Sequence, residues 1–99
     1  MLILPIKKKW YDMILSGEKK EEYREIKPYY RSRLCNEGFL DYYGLPTLCQ
    51  GQVLFRNGYA RNSPSFKALC SLDVKIGRLE WGAEPGRKYY VLKILEIKS

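Results

Sequence analysis

The chain has 99 residues, enough to close one hydrophobic core and too few for two, and its 45% apolar and 29% charged residues match a folded globular domain, so wholesale disorder is excluded. With 18 Lys and Arg against 11 Asp and Glu the net charge is +7, which favours polyanionic partners over acidic proteins or small neutral metabolites. The absence of histidine excludes Ser-His-Asp and Cys-His nucleophilic arrangements, and Cys35, Cys49 and Cys70 are too widely spaced for a zinc site, so they read as reduced, partly buried thiols with no metal or cofactor expected.

At the N-terminus "LILPI" reads as a first strand cut off by Pro5. The order of "MLILPIKKK", apolar then basic, reverses that of a secretory signal peptide. No apolar run approaches the roughly 20 residues of a membrane helix, so a cytoplasmic protein without a membrane partner is expected. Trp10, Met13 and Ile14 then fall at helical spacing and Gly17 stands where a helix would stop, which predicts a helix over 7–16. "KKEEYRE" has no apolar stripe of helical period. It suits a strand at a sheet margin, with Lys20, Glu22 and Arg24 on one face and Lys19, Glu21 and Tyr23 on the other.

Pro28 at a first helical position and Gly38 at an end predict a short second helix. "FLDYYGLPTLCQG" reads as an irregular connection that still packs, and Gln52 to Arg56 as a strand entering a loop at Asn57-Gly58. Phe66, Ala68, Cys70, Leu72, Val74 and Ile76 alternate with a mostly polar set, the pattern of a half-buried strand. After the turn-rich "LEWGAEPGRKYY", the run "KYYVLKILEIK" reads as a closing strand. Strands outnumber helices and no βαβ unit repeats. The fold class is therefore α+β: one domain, a small curved or closed β-barrel with about two short helices at its rim.

The segment "MILSGEKKEEYRE" resembles the signature of the ASCH domain, the activating-signal-cointegrator homology family of the PUA-like superfamily, in which a helix ending in Gly leads into G-x-K-T-x-E-x-R. Gly17, Lys19, Glu22 and Arg24 fall on that pattern, and Lys20 stands where the family often has Thr. "FRNGY" and "EWGAEPGRKYYVLKI" look like small phage and prophage ASCH proteins, so the resemblance spans almost the whole chain. It implies a small β-barrel with helices at its rim and binding of RNA or DNA in a cleft beside the first helix. One subgroup hydrolyses acetylated cytidine with a Lys, a Thr and a Glu, and nuclease activity has been suggested for others. Lys20 supplies no hydroxyl nucleophile at the Thr position.

Several residues are candidates for such chemistry. The left-handed turn at Gly17 is expected to point Lys19 away from the core, where it could meet a phosphate, with Lys20 beside it. Glu22 and Arg24, two apart on one strand face, could pair so that the Arg fork is fixed for bidentate recognition. In "RNGYAR", Arg56, Asn57, Tyr59 and Arg61 combine guanidinium, amide and aromatic ring around a glycine, suited to phosphate, base edge and base face. Tyr29-Tyr30, Tyr42-Tyr43 and Tyr89-Tyr90 are expected to place one ring of each pair in the core and one outward.

The expected function is binding of nucleic acid, RNA foremost, or of a nucleotide, in a basic cleft. Lys19, Arg24 and Arg56 would hold phosphate and Tyr59 would stack. The alternatives are a hydrolase of a modified nucleoside or a ribonuclease, with Lys19 and Glu22 or Glu84 as acid-base groups, and a protein-interaction module. The last of these calls for an exposed apolar patch within 39–48.

Overall fold

The computed structural model describes residues 1–98. Its elements are β1 (Leu2–Ile6), α1 (Lys8–Leu15), β2 (Glu21–Arg24), α2 (Pro28–Asn36), β3 (Gly51–Asn57), β4 (Ser65–Ile76), a 3-10 turn (Leu79–Trp81) and β5 (Lys88–Lys98). The five strands form one sheet in the order β1-β3-β4-β5-β2, with β1 parallel to β3 and every other pair antiparallel. The α+β class, the curved sheet and the two short helices are as the sequence predicts. The sheet curls into a half-barrel. A bulge contributes to the curl: Leu69 pairs with Glu96 and Cys70 with Ile94, which leaves Leu95 as an extra residue on β5.

Alternation explains what the sheet buries. Val53 and Phe55 of β3, Phe66, Ala68, Cys70 and Leu72 of β4, and Tyr90 and Leu92 of β5 meet Leu2, Leu4 and Ile6 of β1 in the main core. Helix α1 adds Tyr11 and Ile14 to this core, and Leu34 of α2 joins them. The opposite face of β5 is also covered. Tyr89 and Val91 pack with Tyr23 and Ala83 in a second, smaller cluster under the connection between β4 and β5. Tyr89 and Tyr90 are therefore both buried, on opposite faces, where one of them was expected to face outward.

The other tyrosine pairs behave differently. Tyr30 is half-buried and Tyr29 exposed, as expected, but Tyr42 and Tyr43 are both exposed. Their loop is shaped by its own polar groups, since the Asp41 carboxylate accepts from the Tyr43 and Leu45 amides at 2.8 and 2.9 Å. Phe39 and Leu40 bury at the start of this connection, while Leu45 and Leu48 stay exposed. Cys70 is buried and Cys35 half-buried, but Cys49 is exposed, so the reading of partly buried thiols fails at that position. No helix among the described residues is long and apolar enough to cross a membrane.

The two outer strands of the half-barrel, β1 and β2, are joined by side chains. Arg24 donates to the Pro5 carbonyl at 3.3 Å, and Arg33 of α2 donates to the Ile3 carbonyl at 2.9 Å. Pro5, which has no amide proton to give a ladder, is tolerated because β1 is an edge strand.

Candidate functional site

Helix α1 ends where the sequence places its stop. Gly17 is left-handed, with φ of 87°, and donates to the Ile14 carbonyl at 3.0 Å. The next step departs from expectation, because the Lys19 amide donates back to the Met13 carbonyl at 2.9 Å and pins this residue against the helix end. The Lys19 side chain consequently turns inward and is only 1% exposed. Its ammonium donates to the Trp81 carbonyl at 2.6 Å and meets Glu22 Oε1 at 3.1 Å. The Trp10 and Tyr23 rings stand 4.7 and 4.9 Å from it. An ammonium carries three donors and is costly to bury unless they are met. The carbonyl, the carboxylate and the two ring faces supply the compensation.

Glu22 is shared. Its Oε2 accepts from Arg24 at 2.6 Å, so one buried carboxylate holds two cations. β2 pairs Glu22 with Leu92 and Arg24 with Tyr90, which puts both on the face of the main core. The expected pairing of Glu22 with Arg24 is present. The guanidinium is largely committed, however, because the Tyr23 carbonyl accepts from it at 2.7 Å and the Pro5 carbonyl at 3.3 Å. On the other face of β2, Tyr23 donates to Glu21 at 2.7 Å and accepts from the Arg78 amide at 3.0 Å, and Glu21 pairs with Lys75 at 2.6 Å.

These environments shift titrations. Burial pushes the Lys19 ammonium below its ordinary 10.5, and Glu22 recovers only part of the shift. Burial alone would raise Glu21, but hydrogen bonds from Lys75 and Tyr23 outweigh it and hold that carboxyl below its ordinary 4.5. Burial also raises the Tyr23 hydroxyl and pushes the Cys70 thiol from 9.0 up to about 12. For Lys19 the unfolded chain keeps its proton up to 10.5 while the folded chain releases it at lower pH. Between those values the unfolded state binds more protons, so this residue makes stability rise with pH. Lys19→Met is expected to abolish that rise in urea midpoints followed upward from neutral pH to the ordinary lysine value. Identical pH profiles in the two proteins would contradict the burial of a charged Lys19. Cys70 lowers stability above 9.0 in both proteins and cancels in the comparison.

Above the Lys19, Glu22 and Arg24 triad opens a cleft of about 580 Å³, within the usual range for ligand sites. One wall comes from the β1–α1 corner, with Lys7 and Lys8, and from the end of β3 and the loop after it, with Asn57, Gly58 and Tyr59. The facing wall comes from the end of β2, with Arg24 and Glu25, and from the β4–β5 connection, with Trp81, Glu84 and Arg87. Arg87 stands 3.6 Å from Glu25 and 3.5 Å from Glu84, so this rim is charge-paired. Lys7 has no ion pair among the described residues. Trp10, Tyr23, Tyr30, Tyr59, Trp81 and Tyr89 line the cavity, and these include both tryptophans of the chain. Trp10 lies flush on the backbone of Gly82, where an added Cβ would come within 2.9 Å of the ring.

The predicted site residues separate into groups. Glu22, Arg24, Asn57, Tyr59 and Glu84 border the cleft, with Tyr59 fully outward at 88% exposure. Lys19 lies sealed beneath it, a correction to the expected outward-facing anchor. Arg56 is not brought to the cleft. It follows the buried Phe55 on β3, so alternation turns it to the opposite face, and its Nε is buried without a partner among the described residues. Lys20 and Arg61 are exposed and do not line the cavity.

Lys7, Lys8, Trp10, Trp81 and Arg87 are not among the site residues expected from sequence, where Trp10 reads only as part of the helix stripe. Two signals point to them: a triple lysine running into Trp at a helix start, and a lone Trp amid the Gly and Pro of a loop. Comparison with protein-family models, with curated proteins and with solved structures returns no match for this chain.

Proposed function

We propose that this is a cytoplasmic ASCH-type, PUA-like protein whose cleft binds nucleic acid, RNA foremost, or a nucleotide, by taking an unpaired base among its aromatic side chains. The observation that carries the reading is the cleft itself, where six aromatic residues and the cations Lys7, Lys8 and Arg87 line one cavity. Stacking on aromatic faces is how single-stranded bases are held, and exposed cations meet the backbone. Two further observations support it. The N-terminus of α1 has no side-chain cap, which leaves first-turn amides for an anion beside Lys7 and Lys8. The Gly17, Lys19, Glu22 and Arg24 pattern converges on one charge-paired unit under the cavity. Because the donors of Lys19 and Arg24 are spent inside the protein, the proposed phosphate contacts move to Lys7, which has no ion pair among the described residues, and to Lys8 and Arg87, whose exposed pairs with Asp12 and with Glu25 and Glu84 a phosphate would have to displace. The triad positions the floor and leaves it with one net positive charge.

With about three phosphates contacted, the logarithm of affinity for a single-stranded oligonucleotide should fall against the logarithm of salt concentration with a slope near −2. Quenching of Trp10 and Trp81 provides the readout. Binding that ignores salt, or no binding to any oligonucleotide, removes the proposal. The hydrolase reading asks more of the same residues, since Lys19 would have to leave the Trp81 carbonyl and Glu22 to reach a substrate. A second reading, a protein-interaction module, is favoured by the exposed Tyr42, Tyr43, Leu45 and Leu48, which make an apolar loop within the expected 39–48 span.

A further inference from the structure

Tyr30 lines the cavity, and the Tyr29 ring meets it edge to face with centroids 5.0 Å apart. Tyr29 lies outside the cavity and keeps 58% of its surface exposed, although it is held in place. Arg33, one helical turn on, donates to the Tyr29 hydroxyl at 3.2 Å and lies 5.6 Å from its ring centroid. Arg33 is itself fixed by its bond to the Ile3 carbonyl at 2.9 Å. Lys27, exposed at the helix N-cap, stands 5.3 Å from the Tyr30 ring. An ordered, exposed ring with an immobilised guanidinium on it, and beside the neighbouring ring an exposed ammonium whose one ion pair, with Glu25, is long at 3.8 Å, has the make-up of a stacking platform with a phosphate contact.

We infer that Tyr29, with Lys27 and Arg33, forms a second nucleotide position outside the cleft, so that the ligand is a single strand of at least two nucleotides leaving over the first turn of α2. This rests on the reading of the cleft as a base-binding site. It goes further in choosing a single strand over a free nucleotide. Within α2 alone the Tyr29 and Arg33 pair would be a minor i,i+4 contact. What sets it apart is its continuity with Tyr30 inside the cavity.

The test titrates the four 5′-mononucleotides, and the homohexanucleotide of each base, against intrinsic tryptophan fluorescence. In the wild type the hexanucleotide of the preferred base should bind at least about tenfold tighter than its mononucleotide. Tyr29→Ala should shrink that gap to the few-fold advantage of multiple registers while leaving mononucleotide affinity unchanged, and Tyr29→Phe should restore it. Lys27→Glu, at an exposed position, should narrow the gap as well and serves if Tyr29→Ala fails to fold. A wild type without the gap, or a gap untouched by both Tyr29→Ala and Lys27→Glu, overturns the second position and leaves the cleft reading standing. Absence of quenching by every mononucleotide and hexanucleotide overturns both.

Discussion

Glu22→Ala is expected to lower the free energy of unfolding by about 3–5 kcal/mol, the usual cost of removing one partner from a buried ion pair. The carboxylate is 7% exposed and holds Lys19, 1% exposed, and Arg24, 15% exposed. Without it, two cations remain in a site that water barely reaches, and their repulsion is no longer offset. Lys19→Met tests the asymmetry of the arrangement. It leaves Glu22 paired with Arg24 through Oε2 and keeps an apolar stem against Trp10 and Tyr23, abandoning the Trp81 carbonyl and Glu22 Oε1, so a smaller loss of about 1–3 kcal/mol is expected. Urea unfolding at neutral pH measures both. Should Lys19→Met prove the more damaging substitution, Glu22 would not be the hub of the triad.

Tyr59→Ala should weaken binding of a short oligoribonucleotide by roughly 5- to 150-fold, the equivalent of about 1–3 kcal/mol for one lost stacking contact, with no change in melting temperature. The side chain is 88% exposed, so the fold gains almost nothing from it. It nonetheless lines the cleft, as Arg87 does. Separate titrations and thermal melts of the same variant distinguish a binding role from a structural one. Unchanged affinity would take the β3–β4 loop out of the site.

The parts of the fold set by local periodicity were legible in the sequence. β4 declares itself through its alternating residues from Phe66 onward, and β2 through a charged run with no helical stripe. Its place at the sheet margin followed from that composition. The site was less legible because its contacts are made across the chain. Lys19 is buried by Trp81, 62 positions away, and by a backbone bond to Met13 that reverses the direction the Gly17 turn seemed to give it. Arg56 attracted notice as part of an Arg-Asn-Gly-Tyr string, yet strand alternation separates it from its neighbours in that string. Lys7 and Lys8 read only as the start of a helix. They become a wall of the cleft when the parallel pairing of β1 with β3 brings them beside Tyr59.

The joint between the outer strands of the half-barrel bears on how the cleft is held together. One wall descends from β1 and its partner β3, the other from β2 and the connection into β5, and no backbone ladder runs between β1 and β2. Across that line lie one long hydrogen bond from Arg24 to Pro5, the Arg33 bond and the contact of Trp10 with Gly82. The molecule therefore works as an open cuff. Between its jaws the shared main core and these side-chain contacts take the place of a backbone ladder, while every strand stays paired on its inner side.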